Sequence, residues 1–85
     1  MSYTVYILYS KKDKRLYVGC TSDITTRIIK HNNGHVDATK FRRPLELILT
    51  ENFENKTLAF TRERFLKSLW GSREKKKILT KYLRG

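Results

Sequence analysis

One cysteine, one proline and four glycines are all that 85 residues contain. Cys20 alone cannot close an internal disulfide or build a cysteine-based zinc site, and it fits a reducing compartment. No apolar run approaches the ~20 residues that span a bilayer, and Met1 leads into structured sequence without a signal-peptide pattern, so no membrane partner and a cytoplasmic location are expected. Repeats, linkers and low-complexity stretches are missing, apart from the short run Lys75-Lys76-Lys77. Acid is scarce as well: eight Asp and Glu face 19 Lys and Arg, a net charge of +11. That excess argues against a neutral scaffold or a cation handler and for a polyanionic partner. With 39% hydrophobic and 12% aromatic residues spread along the chain, residues 1–85 are expected to fold as one domain, with a monomer as the default.

Tyr3 to Tyr9 is dense in aromatic and β-branched residues, stops at a polar cluster and resumes as Leu16-Tyr17-Val18-Gly19, a β-hairpin signal. Alternation puts Leu16, Val18 and Cys20 on one face and Tyr17 beside the bare Gly19 on the other, where a cleft can open. Ser22 or Asp23 caps a helix carrying Ile24, Ile28 and Ile29 inward and ending at Asn32-Asn33-Gly34. His35 to Arg43 reads as a basic loop around Phe41, closed by Pro44, and Leu45–Thr50 as a third strand. A helix over about 56–70 shows a stripe of Leu58, Ala59, Phe65, Leu66, Leu69 and Trp70. After Gly71, a last helix capped by Ser72 is expected to bury Ile78, Leu79, Tyr82 and Leu83. Residues 56–85 hold ten basic and two acidic side chains, so most of the positive field belongs to these last helices.

Four residue types stand out from a bland surface. Glu63 projects ~20° from Trp70 and ~60° from Phe60 on the helical wheel, at the rim of the apolar arc. One carboxylate there can hold Mg²⁺ or Mn²⁺ if phosphate and water complete the shell; spacing alone favours an ion pair with Arg62 or Lys67. Arg62 falls inside the arc and needs either a partner or a route to water. Arg27 and His31, four apart, share one side of the first helix; each is more often a solvated or structural residue, but beside a cleft an Arg clamps phosphate and a His carries protons. Tyr3, Tyr6 and Tyr9 are ordinarily strand packing with hydroxyls reaching water. A catalytic Tyr, with its ordinary pKa of about 10, needs a neighbouring cation, base or metal-bound water. His35, past the helix stop, makes no metal pair with His31.

In order and spacing, Thr4-Val5-Tyr6, Tyr17-Val18-Gly19, Arg27 with His31, and Glu63 form a pattern that resembles the GIY-YIG nuclease domain. Arg42-Arg43-Pro44-Leu45 and Arg62-Glu63-Arg64-Phe65-Leu66-Lys67 support it, and the match runs from about Tyr3 to Tyr82. The chain looks most like the small stand-alone bacterial members and is similar to the catalytic domain of the excision-repair incision nuclease. The resemblance implies an α/β fold with a three-stranded antiparallel sheet flanked by about three helices, and metal-dependent hydrolysis of nucleic-acid phosphodiesters. It implies that Tyr17 or Tyr6 activates water, that Arg27 neutralises phosphate charge and that His31 orients or deprotonates a tyrosine or water. Glu63 is implied as the sole protein carboxylate on a divalent metal, Mg²⁺ or Mn²⁺. Two departures are visible: Thr4 and Val5 replace the first motif's glycine and isoleucine, and Lys75 stands where many relatives carry an asparagine. On the wheel Lys75 shares a side with Ile78 and Tyr82, as a phosphate contact in place of an amide.

The expected function is therefore a one-metal endonuclease, acting on DNA, that tracks phosphates with Lys40, Arg42, Arg43, Lys67, Lys75, Lys76 and Lys77. Two other readings stand beside it: a silent nucleic-acid-binding module with the same fold, and a partner subunit of a nuclease complex.

Overall fold

The computed structural model describes residues 2–85. Three strands, β1 (Tyr3–Ser10), β2 (Leu16–Thr21) and β3 (Leu45–Phe53), form an antiparallel sheet in the order β2-β1-β3. Three helices, α1 (Ile24–Asn32), α2 (Lys56–Lys67) and α3 (Ser72–Leu83), complete the chain, with a 3₁₀ turn at Leu69–Gly71 before α3. This is the mixed α/β architecture expected from the sequence.

Strand β1 lies in the middle and is buried along almost its whole length, so its alternation sorts residues to two different environments. Val5 and Ile7 point to one face, where Val18, Ala59 and Leu66 close a dry core with Ile48, Leu49 and Ile78 packed at its margin. Tyr6 and Leu8 point to the other face, onto Leu45, Tyr17, Ile24 and Ile28. The sheet therefore has α2 and α3 on one side and α1 on the other. Strand β3 alternates poorly in sequence because its pairing with β1 shifts register: Ile7 opposes Leu49 while Leu8 opposes Leu47. Ile48 is the extra residue of a bulge, which lets Ile48 and Leu49 both reach the core.

Several expectations about the helices need correction. Helix α2 stops at Lys67, because Ser68 adopts an extended backbone (φ −84°, ψ 168°). Gly71 then packs so close to Phe65 and Leu66 that any Cβ would collide with the Phe65 carbonyl and the Leu66 backbone. This turn throws Leu69 and Trp70 outward, and of the predicted stripe only Ala59 and Leu66 are buried. Ile29 is 55% exposed rather than inward. In α3 no residue is fully buried: Ile78, Leu79 and Tyr82 are partly covered, and Leu83 is exposed. Ser72 does not cap α3; its hydroxyl donates back to the Leu69 carbonyl at 2.7 Å. A sheet of three strands has too little surface to cover the apolar side of every helix packed on it.

Polar ties hold α2, α3 and β3 together. Arg62 donates to both carboxylate oxygens of Glu51 on β3, at 2.7 and 3.1 Å, and is ion-paired at 2.5 Å to Glu74 on α3. Its place inside the apolar arc is explained by these two partners. Tyr82 donates to Glu46, which pushes the phenol up to about 12, and its ring lies 5.3 Å from that of Tyr9.

Candidate active site

Pairing between β1 and β2 sets Tyr6 directly opposite Gly19, and Leu8 opposite Tyr17. A Cβ on residue 19 would collide with the ring and hydroxyl of Tyr6, so the glycine is what allows the phenol to lie across β2. Because β2 is an edge strand, the Tyr6 hydroxyl is carried toward the border of the sheet.

Helix α1 brings its side chains to the same place. Asp23, the N-cap, accepts from the Thr26 amide at 3.1 Å, fixing the first turn. Arg27 and His31 then fall one turn apart on the side that faces the sheet. His31 is fully buried and its Nε2 lies 2.9 Å from the Tyr6 hydroxyl. Arg27 Nε donates to the same hydroxyl at 3.3 Å, and Thr39 Oγ1 lies 2.7 Å from His31 Nδ1. The Tyr17 ring stands 5.2 Å from the imidazole and 6.4 Å from the Tyr6 ring, tilted against both.

Burial fixes how the protons sit in this chain. Desolvation, and then the nearby Arg27 charge, push His31 down to about 4, so its imidazole is neutral near pH 7. The Tyr6 hydroxyl receives Arg27 Nε–H and also meets His31 Nε2, while His31 Nδ1 meets the Thr39 hydroxyl, so each nitrogen of the neutral imidazole has a hydroxyl partner. Burial pushes Tyr6 up despite the opposing pull of Arg27. Tyr6 is thus a held, protonated phenol, not a free base. Arg27 in turn is pushed up, chiefly by its bond to Tyr6. Tyr17 differs: it is only partly buried, and its hydroxyl, near the Arg27 guanidinium, helps to push Arg27 up.

Structure thus brings Tyr6, Tyr17, Arg27 and His31 together. Thr39 was not anticipated, since it lies in a segment without period; the only sequence signal for it is that a buried His needs a partner on each ring nitrogen. Arg27 also lines, with Thr26 and Lys30, a cavity of about 220 Å³ that opens beside the cluster.

Glu63 comes from α2, on the opposite side of the sheet, and makes no hydrogen bond to these four among the described residues. It is nevertheless near the shared border: its negative charge contributes to pushing up both the Tyr6 hydroxyl and the Cys20 thiol. The side chain is 19% exposed and ion-paired at 2.9 Å to Lys67, one of the two partners its spacing favoured. Among the described residues no group of three or more His, Cys, Asp or Glu side chains is placed to hold a metal. A hard carboxylate oxygen whose charge is felt at Tyr6 fits Mg²⁺ or Mn²⁺ that takes the place of Lys67 and draws its remaining ligands from phosphate and water.

The predicted phosphate contacts divide. Arg42 is tied into the fold, donating to Asp13 at 2.6 Å and to the Leu16 carbonyl at 3.4 Å, and it holds the Asp13 carboxyl down at about 2. Lys67 is taken by Glu63, and Lys40 pairs with Asp37 at 3.5 Å while lying over Phe41. Arg43 is exposed at the mouth of the loop. Lys75 is partly buried on the inner side of α3, whereas Lys76 and Lys77 face outward. No helix among the described residues is long and apolar enough to cross a membrane.

Comparison with known proteins identifies the family. Residues 2–77 match the GIY-YIG catalytic domain. A UPF0213 protein of Staphylococcus saprophyticus is 47% identical over 73 residues, covering 85% of each chain. One from Natronomonas pharaonis is 42% identical over 76 residues, covering 88% of this chain and 86% of that one. The solution NMR structure of the UPF0213 protein from Bacillus halodurans superposes with a TM-score of 0.57 at 35% identity, covering 94% of this chain and 84% of that one. Domains of this kind form a nuclease family that acts on nucleic acid and generally uses divalent metals. A β2 border cleared by glycine, a buried tyrosine shared by arginine and histidine, and a match over nearly the whole length agree: the chain belongs to the GIY-YIG family, among relatives of the UPF0213 group.

Proposed function

We propose that this chain is a metal-dependent endonuclease that hydrolyses DNA phosphodiester bonds at the border between β2, α1 and α2. The observation that carries the reading is the Tyr6 hydroxyl, buried and held between Arg27 Nε at 3.3 Å and His31 Nε2 at 2.9 Å. Packing alone gives no reason to place a phenol, a guanidinium and an imidazole in one buried contact, and desolvating them has a cost.

In this reading the residues have separate tasks. Arg27, anchored through Nε, presents its planar cation to the scissile phosphate and stabilises the charge that grows on the phosphoryl oxygens. Tyr17, partly exposed beside Arg27, meets the attacking water and accepts its hydrogen bond. Tyr6, His31 and Thr39 form a buried chain that keeps Arg27 in place. Glu63 is the residue to hold a divalent ion, which when bound supplies Lewis-acid stabilisation of the phosphate and lowers the pKa of coordinated water. Lys67, pairing with Glu63 in its absence, is free to contact phosphate once that carboxylate is engaged.

Two observations favour a second reading, a silent nucleic-acid-binding module: Lys67 already neutralises Glu63, and Lys75 stands in place of the asparagine of many relatives. Cleavage separates the two. With Mg²⁺ or Mn²⁺ the purified protein is expected to nick supercoiled plasmid, and Glu63→Ala to lose cleavage by about 10³-fold, the scale of several kcal/mol of transition-state stabilisation, with binding retained. Equal nicking by both proteins points to a contaminant and removes Glu63 from the reaction.

A further inference from the structure

The largest apolar side chain in the molecule is among its most exposed. Trp70 is 83% and Leu69 86% accessible, while Ala59 and Leu66 on the preceding helix are buried. The turn at Ser68 and the close packing of Gly71 hold Trp70 outward, so its position is built into the backbone. Leu69, Trp70, Ser72 and Arg73 line a cavity of about 390 Å³. Arg73 also begins a second concavity, of about 560 Å³, along α3 with Lys76, Lys77, Lys81 and Arg84. Arg73 lines both.

This outer face of α3 is positive without relief. Its cations recur at helical spacings of three and four, and none of the five is ion-paired among the described residues. The single acid of α3, Glu74, is turned inward onto Arg62. From Arg73 to Arg84 the row is ~16 Å long. A row of cations ending at an aromatic platform is the combination that holds single strands: cations follow the backbone and an unstacked base lies on the ring. In a duplex the base faces are already stacked on one another and Trp70 finds none.

We propose that Trp70 and the outer face of α3 form a binding track for single-stranded nucleic acid, with a base stacked on Trp70 and phosphates on Arg73, Lys76, Lys77, Lys81 and Arg84. The track rests on the nucleic-acid reading given above, not on its cleavage chemistry.

Trp70 is the only tryptophan in the chain, so intrinsic fluorescence reports on this position alone. The full chain is titrated in EDTA with an oligothymidylate of about 20 nucleotides and with a duplex of equal length. Emission is expected to fall by about half or more with the single strand and little with the duplex. Trp70→Ala is expected to weaken single-strand binding about tenfold and duplex binding less than about twofold. Arg73→Gln with Lys77→Gln is expected to lower the salt dependence by about two counterions. Emission unchanged at saturating oligonucleotide, or equal affinity for Trp70→Ala, overturns the track. So does sedimentation showing a dimer that Trp70→Ala dissolves, because a second copy then covers the ring. Since EDTA prevents metal-dependent cleavage, quenching without plasmid nicking in Mg²⁺ sinks the nuclease reading alone, and nicking without quenching sinks the track alone.

Discussion

The two faces of the sheet share a strand and little else. Toward α2 and α3, β1 contributes Val5 and Ile7 to a cluster that needs no hydrogen bond across it. Toward α1, the same strand contributes Tyr6 to a buried contact made of Arg27, His31 and Thr39, where every polar group depends on its neighbour. The first face is where the protein gains its stability from burial; the second carries charge and hydroxyl groups that burial opposes. Alternation with period two is what lets one strand serve both. The difference teaches that substitutions should separate cleanly into those that loosen the fold and those that change the chemistry.

Three measurements break or sharpen that division. Leu66→Ala, at a fully buried core position, is expected to cost about 2–5 kcal/mol in urea unfolding, a large share of the stability of a domain this size. Nicking by the folded fraction should remain near that of the parent. A collapse of cleavage well below the unfolding midpoint would show that the faces are not independent.

Acid is expected to weaken the fold through His31. Unfolded, its imidazole takes a proton near its ordinary value of 6.5; folded, it resists down to about 4. Above pH 6.5 both states are neutral and this contribution to stability is fully present. Between 6.5 and 4 the unfolded chain binds the extra proton, so stability falls as pH falls, by about 3 kcal/mol over the window. Denaturation profiles of the parent and of His31→Gln should converge as the pH is lowered through that range; parallel profiles would mean that His31 is solvated in the native state.

The smallest expected effect belongs to Thr39→Val, which keeps the shape and removes the partner of His31 Nδ1. Leaving that buried nitrogen unpaired should cost about 1–3 kcal/mol. The nicking rate should fall more than DNA affinity does, as Arg27 loses the support of the chain behind it. No loss in either would remove Thr39 from the account.

Much of this was readable in the residues. Hairpin, faces of β2, N-cap at Asp23 and the one-turn spacing of Arg27 and His31 all follow from local periodicity and turn chemistry. What local pattern does not carry is the identity of the opposing surface. The wheel placed Leu58, Leu69 and Trp70 on a common stripe, but nothing lies opposite them to bury them. Glu63 was located at the rim by reference to Trp70, which turned out to be solvent-facing; its partial burial has another origin, the approach of α2 to the β2 border. Thr39 and the Arg42–Asp13 pair join residues 8 and 29 positions apart. Such contacts depend on how a loop closes, and no period announces them.

The claim on which the chemistry depends is that Tyr17, unlike Tyr6, meets the water. Tyr17→Phe removes a single oxygen from a partly exposed ring, so folding should be unchanged by circular dichroism and urea. Single-turnover cleavage of a labelled DNA in Mg²⁺, with affinity measured on the same substrate, is expected to show a rate lower by about 10²–10⁴-fold and a Kd within about twofold of the parent. An undiminished rate, or a rate lost only in proportion to binding, would contradict it.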